Sequence, residues 1–110
     1  MNTNYHKPDT RIRVRFLLTK EGGRKSDVDT TTHEYRATIE IDNRYFDCRF
    51  RGDNPKVYKL GEWYSVYIKF LSPEIALPHF SVGKPISLWE GKTVAEGFVE
   101  EVFERSTVLR

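Results

Sequence analysis

The sequence is poor in the features that mark several classes of protein. It has 1 cysteine in 110 residues, which excludes an internal disulfide framework. Its three histidines, His6, His33 and His79, follow no metal-ligand spacing. No apolar run approaches the roughly 20 residues of a membrane span, and the N-terminus lacks the apolar core of a signal peptide. We therefore predict a single cytoplasmic domain with no membrane segment, metal or cofactor.

An excess of charge of one sign is also missing. The formal net charge is +2, from 18 basic and 16 acidic residues, and this is too small to imply a nucleic-acid partner by itself. The two halves of the chain differ, however. Residues 1–60 carry 13 basic and 9 acidic side chains, whereas residues 61–110 carry 5 and 7. The first half is therefore modestly basic.

Alternation of apolar and polar residues predicts β-strands along most of the chain. One begins at Arg11, one covers Trp63 to Phe70 and one covers about Thr93 to Phe103, with shorter apolar pieces at 80–82 and 86–89. The polar run 19–33 contains paired glycines and is predicted to be a long loop. No segment indicates a helix. The pattern is typical of an all-β fold.

We expect these strands to form one small closed antiparallel barrel of six or seven strands. The barrel domain is assigned to residues 11–104. Residues 1–10 are polar and include a proline, so they are predicted to be a flexible tail, and residues 105–110 are assigned to a second tail.

Residues 35–50 are predicted to form a hairpin. Alternation resumes on each side of Asp42-Asn43, a pair that tolerates the positive φ angles of a two-residue turn. This register places the apolar residues of both strands on one face. It also places Arg36 directly opposite Arg49 on the outer face, which is unfavourable unless another group compensates for the two charges.

Arginines dominate the outer face of the predicted strands and give the first candidate site, which comprises Arg11, Arg13, Arg15, Arg36, Arg49 and Arg51. Such a face is suited to phosphates or to an acidic protein surface. The alternative is a solvated face on which the arginines pair across strands with acidic neighbours, namely Glu34, Glu40 and Asp47.

Two glycine turns give further candidates. Gly22-Gly23-Arg24-Lys25 resembles a loop whose backbone N–H groups surround an anion, although an ordinary flexible turn is the simpler interpretation. Lys92 follows Gly91 in the second turn.

Outward aromatic residues at Tyr45, Trp63 and Tyr67 are suited to stacking on bases or to a protein interface. Cys48 has the inward phase and is predicted to be a buried, inert thiol.

Several short segments resemble a known family in the order in which they occur. They are Glu21-Gly22-Gly23-Arg24 after the first strand, Tyr35-Arg36, Leu60-Gly61-Glu62, and the closing run from Glu90-Gly91-Lys92 to Val99. Together they are similar to the C-terminal (third) β-barrel domain of translation elongation factor Tu. That domain grips the T-arm of aminoacyl-tRNA and a nucleotide-exchange partner. Tyr35, at the position of the family's Tyr-Arg, joins Arg24, Lys25 and Lys92 of the glycine turns as a candidate RNA- or partner-binding residue.

The expected function is therefore that of a non-enzymatic binding module whose partner is a structured, tRNA-like RNA held through its phosphates. No Gly-x-x-x-x-Gly-Lys-Ser/Thr motif is present, so GTP binding by a P-loop is excluded. The rival hypothesis is a protein-interaction module that mimics or competes with an elongation-factor barrel, as a regulator or a toxin accessory. In the family, Tyr-Arg is followed by Pro-Gln-Phe. Here Ala37-Thr38 replace the Pro-Gln, which favours the rival, as does the acid at Glu90.

Overall fold

The computed structural model describes residues 7–51 and 56–103, and six of the strands in these ranges form a closed antiparallel barrel. Around the barrel the order is β1-β6-β4-β3-β7-β8, and β2 pairs only with β5. The strands are β1 (Thr10–Phe16), β2 (Val28–Asp29), β3 (Arg36–Ile41), β4 (Arg44–Arg51), β5 (Val57–Tyr58), β6 (Trp63–Phe70), β7 (Pro85–Trp89) and β8 (Thr93–Val102). The prediction of a small all-β barrel is confirmed.

The hairpin of β3 and β4 has the predicted register. Asp42 and Asn43 have φ angles of 52° and 62°, the left-handed conformation that a tight two-residue hairpin turn needs. Arg36 lies opposite Arg49, as expected, and the inward partners pair in the predicted phase. The turn and the alternation therefore agree, and together they determine which side chains face outward at the open end of the hairpin.

The barrel interior is filled by the inward-facing residues of every barrel strand. The residues that are less than 2% exposed include Ile12, Val14, Phe16, Ile39, Ile41, Ile68, Leu88, Val94 and Val99. Aromatic rings close one end of the interior, where Phe16 contacts Tyr35 edge-on at a centroid distance of 5.8 Å. Since these side chains fill the interior, a ligand can bind only on the outer face or at the rims of the barrel.

A glycine permits the closest backbone approach in the barrel. Gly97 of β8 lies opposite Val14 of β1. A Cβ atom at Gly97 would lie 1.8 Å from the carbonyl oxygen of Arg13, which is far inside the contact distance. Only a residue without a side chain therefore fits between the first and last strands at this point.

The structure differs from the sequence interpretation in two short segments. The polar run 19–33 contains a 3₁₀ turn over Thr19–Glu21 and the two-residue strand β2, because Val28 is buried against the core. After β6 the chain forms one turn of α-helix, α1 (Pro73–Ala76), where we expected none, and then a 3₁₀ turn over Leu77–His79. The apolar piece at 80–82 is therefore not a strand. Proline at the first helical position and the buried Ala76 explain the α-helical turn.

The start of the barrel lies inside the segment assigned to the N-terminal tail. β1 begins at Thr10, and Asp9 is buried. The Asp9 amide donates to the carbonyl oxygen of Ile68 at 2.8 Å, and its Oδ2 atom accepts from the Phe70 amide at 2.9 Å. The amide of Phe103 in turn donates to the Asp9 carbonyl oxygen at 3.1 Å. Residues 1–6 and the predicted tail at 105–110 lie outside the described residues.

Candidate functional site

Three cations lie side by side across three neighbouring strands. Arg36 of β3 lies opposite Arg49 of β4, and Arg49 lies opposite Lys69 of β6. Adjacent strands are about 4.8 Å apart, so the three backbone positions span about 10 Å. We call Arg36, Arg49 and Lys69 the cationic row. The sequence interpretation missed Lys69 as a site residue, because its place in the row depends on the pairing of β4 with β6.

One carboxylate compensates for much of the repulsion at this end of the barrel. Glu34 lies 3.2 Å from Nη1 of Arg51 and 3.7 Å from the nearest guanidinium nitrogens of Arg36 and Arg49. The Nζ atom of Lys69 lies 3.7 Å from Oδ1 of Asp9. Four cations thus face two paired carboxylates and the carboxylate of Asp47, two residues from Arg49 on β4, which leaves an excess of one positive charge. The side chain of Arg36 is 72% exposed, so this excess faces solvent.

In the alternative interpretation, the outer arginines pair with Glu34, Glu40 and Asp47. Within the described part of the chain, only Glu34 does so. Glu34 makes the expected ion pairs. Glu40 instead accepts hydrogen bonds from the Ser87 hydroxyl at 2.9 Å and from the Asn43 amide at 3.2 Å. Asp47 makes no ion pair with any described residue. The outer face is therefore only partly neutralised.

The arginines of β1 join this region through Tyr67, which lies opposite both Arg51 and Arg11. Arg11 forms ion pairs with two acids of β8, Glu100 at 3.0 Å and Glu101 at 2.9 Å. The hydrogen bond to Glu100 is the main reason that the pKa of Arg11 is raised above its ordinary value. The charge of Arg11 is thus balanced locally, unlike that of the cationic row.

The other two arginines of β1 have different surroundings. Arg15 binds the Glu21 carboxylate at 3.1 Å and the Gly61 carbonyl oxygen at 3.3 Å. Arg13 donates to the hydroxyl of Ser65 at 3.3 Å and has no carboxylate partner among the described residues. The six outer arginines lie on β1, β3 and β4, and β6 lies between β1 and β4. Their excess charge is concentrated at the cationic row.

The first glycine turn does not form an anion cradle. The amide of Gly22 donates to the carbonyl oxygen of Thr19, and the amide of Gly23 donates to that of Leu18, both at 3.0 Å. A Cβ atom at Gly23 would lie 2.4 Å from the Leu17 carbonyl oxygen, so this glycine serves the tight turn. Lys25 is exposed. The N–H groups of both glycines are therefore used in hydrogen bonds within the loop and are not available to an anion.

Glu90 joins both glycine turns to the start of the hairpin. Nη1 of Arg24 lies 2.7 Å from each carboxylate oxygen of Glu90, and the Tyr35 hydroxyl donates to the same carboxylate. Burial and the neighbouring Glu90 carboxylate raise the pKa of Tyr35. Lys92, in the same turn as Glu90, is exposed and makes no ion pair with a described residue. Three of the four segments that carry the family resemblance therefore meet at one rim of the barrel.

An open cleft of about 420 Å³ lies beside the cationic row. Its lining comes from β3, β4 and the turn between β7 and β8, and includes Arg36, Thr38, Asp47, Arg49, Leu71 and Trp89. Thr38 pairs with Trp89 on one side and with Asp47 on the other. The cleft thus combines two cations, the two carboxylates of Asp47 and Glu90, and one large aromatic ring. The sequence interpretation assigned Trp89 only to a strand.

Exposed aromatic rings form pairs on the outer face. Trp63 and Phe98, on the strands that flank Arg13, have centroids 6.4 Å apart. Tyr67 stacks with Phe103 at 5.9 Å, and Tyr45 packs against Trp89 at 6.0 Å. Each arginine of β1 thus lies opposite one aromatic residue, on β6 or on β8.

Cys48 lies beneath the cleft and is buried, as predicted. Burial is the main cause that raises the pKa of its thiol to about 12. A thiol that stays protonated at neutral pH is a poor nucleophile.

Within residues 7–51 and 56–103, no group of histidine, cysteine and acidic side chains is arranged to hold a metal ion. No helix in these ranges has the length and apolar character of a membrane span.

The fold and the site define a class: a small, closed all-β barrel with a partly neutralised basic region on its outer face. Comparisons with known proteins do not narrow this class. No protein-family model matches the chain, and no curated protein matches its sequence.

Proposed function

We propose that the protein is a non-enzymatic binding module of the cytoplasm that grips the phosphate backbone of a structured RNA. The cationic row carries this proposal, because three adjacent cations and Arg51 share only two carboxylates. The resemblance to the third domain of elongation factor Tu suggests a tRNA-like partner. Neither GTP nor another cofactor has a part in the proposed interaction.

Electrostatics favour a phosphate ligand at this position. Opposed arginines such as Arg36 and Arg49 repel each other, and a bound phosphate relieves that repulsion while accepting strong charge-assisted hydrogen bonds.

The test measures binding of the purified protein to bulk tRNA and to an unrelated structured RNA at two salt concentrations. Phosphate contacts make affinity fall steeply with salt, and each lost contact reduces the slope of log K against log salt by about 1. We therefore expect Arg49→Ala to weaken binding to both RNAs and to flatten this slope. Arg36→Ala should act in the same direction.

A matched control lies on the same strand. Arg44, at the hairpin turn, is five residues from Arg49, or about 17 Å along β4. Arg44→Ala removes the same charge and should leave RNA affinity almost unchanged. Equal losses for Arg44→Ala and Arg49→Ala would indicate a general charge effect and contradict a contact at the row. Absence of RNA binding at low salt would contradict the proposed function itself.

The aromatic pair Trp63 and Phe98 favours a second candidate, a translation-related protein partner. Both rings are exposed. Phe98 lies opposite Arg13 and Trp63 lies opposite Arg15, and arginine and aromatic side chains are enriched in protein interfaces. Such a module would mimic an elongation-factor barrel or compete with it for a partner. Trp63→Ala should then abolish capture of a defined protein partner, whereas Arg49→Ala should not.

A further inference from the structure

We infer that the cleft beside the cationic row is a nucleotide site, with a base stacked on Trp89 and the attached phosphate held by Arg36 and Arg49. This inference rests on the proposed RNA-binding function, to which it adds the contact with an individual nucleotide. The ligand is either a free nucleoside monophosphate or one unstacked residue of an RNA chain, since both present the same base and phosphate.

The strand pairing sets the two ends of this site. Trp89, Thr38 and Asp47 lie in one row across β7, β3 and β4. Arg36 and Arg49 lie two residues further along β3 and β4, or about 7 Å away. An aromatic surface and a phosphate-binding pair are therefore separated along the strands but open into one cleft.

Trp89 is available for stacking. It is 41% exposed although it belongs to a barrel strand, and Tyr45 supports its ring in an edge-on contact. A base stacked on a tryptophan gains contact over its whole face, and the π-faces of all bases allow such contacts. The exposed Leu71 adds an apolar wall to the cleft.

Charge determines the orientation of the ligand. Asp47 lines the end of the cleft near Trp89 and makes no ion pair with a described residue, so it repels a phosphate and accepts hydrogen bonds from a base. The phosphate is therefore directed to Arg36 and Arg49. Glu90 also lines the cleft, but Arg24 already neutralises its carboxylate. Guanine, with adjacent ring N–H and amino donors, suits the two oxygens of Asp47 best.

The first experiment uses tryptophan fluorescence. Trp63 and Trp89 are the only two tryptophans, so a Trp63→Phe protein reports on Trp89 alone. GMP should quench this fluorescence in a saturable way, whereas ribose 5-phosphate, which has no base, should not. Absence of saturable quenching by GMP and by a short single-stranded guanine-containing RNA would overturn the inference. Saturation with the RNA alone would identify the ligand as a residue within a chain.

Calorimetric titration of variants locates the ligand. Trp89→Leu should weaken GMP binding by about 5-fold or more, as expected for loss of one stacking contact. Trp63→Leu is the matched control and should leave GMP affinity unchanged. Arg49→Ala should weaken binding of GMP but not of guanosine, which lacks the phosphate. Equal weakening by Trp89→Leu and Trp63→Leu would contradict a site in the cleft. Circular dichroism verifies that each variant is folded.

The failures of the two proposals can be distinguished. If structured RNA binds with the predicted salt dependence but Trp89→Leu leaves its affinity unchanged and GMP does not bind, the nucleotide site is wrong and the phosphate contact stands. If GMP binds with the predicted dependence on Trp89 and Arg49 while structured RNA does not bind, the nucleotide site stands and the RNA-binding function is wrong.

Discussion

Substitution of Glu34 by glutamine should weaken the fold and strengthen RNA binding at the same time. Glu34 is the shared partner of Arg36, Arg49 and Arg51. Glutamine keeps the size and the polar oxygen of the side chain but removes its negative charge. The excess charge at this end of the barrel would then rise by one.

The size of the stability loss follows from distance and exposure. The pair with Arg51 is the closest at 3.2 Å, and those with Arg36 and Arg49 are longer at 3.7 Å. Exposed ion pairs are worth roughly 0.2–1 kcal/mol each because solvent screens them. The highly exposed Arg36 should contribute least. We expect Glu34→Gln to lower the free energy of unfolding by about 1–2 kcal/mol at low salt, and by less at high salt.

Urea unfolding at two salt concentrations measures the first effect, and tRNA titration measures the second. Because the substitution removes a negative charge beside the proposed phosphate contact, tRNA affinity at low salt should rise and its salt dependence should steepen. Glu74→Gln provides the control, since Glu74 is an exposed acid in α1 without a described ion pair. If Glu34→Gln and Glu74→Gln behave alike in both assays, the reasoning is refuted.

Three further predictions concern the barrel itself. Gly97→Ala should lower the free energy of unfolding by about 3 kcal/mol or more, because the new Cβ overlaps the Arg13 carbonyl oxygen; an unchanged urea midpoint would disprove the close contact. Asp9→Ala should cost about 1.5–3 kcal/mol in the same assay, because the buried amide of Phe70 loses its charged acceptor. The thiol pKa of Cys48 rises from 9.0 to about 12 on folding, so its stabilising effect is complete below pH 9 and is lost as the pH rises towards 12. Between pH 8 and pH 10 the native protein should therefore lose on the order of 1 kcal/mol more stability than Cys48→Ala, whereas parallel pH profiles would show that this thiol is not shielded.

The hairpin shows how much of the fold local sequence determines. Its turn residues Asp42 and Asn43 tolerate positive φ, and the apolar phases of the two strands match only when these residues form the turn. Two independent signals thus give the same register, and the opposition of Arg36 and Arg49 follows from it. The inward faces of β1 and β6 were predictable for the same reason, since side chains alternate with a period of two.

The rest of the site depends on contacts between distant segments. Alternation along β6 predicts that Lys69 faces outward. Its place beside Arg49, however, follows from the pairing of β4 with β6, which no local pattern specifies. Trp89 is likewise placed beside Thr38 by the pairing of β3 with β7. The family resemblance remains a prediction. The two-residue strand β2 is too short to produce a recognisable alternation.

Pairing of β1 with β8 makes the closure of the barrel a late event in folding. Thr10 lies opposite Val102, so the two strands that complete the sheet are 92 positions apart in sequence. Bringing distant segments together costs more conformational entropy than forming a hairpin. A nascent chain can form the hairpin of β3 and β4 early, but it keeps two unpaired sheet edges until β8 has left the ribosome. During that interval the exposed edges are open to pairing with other chains, and this is when the protein is most vulnerable to aggregation.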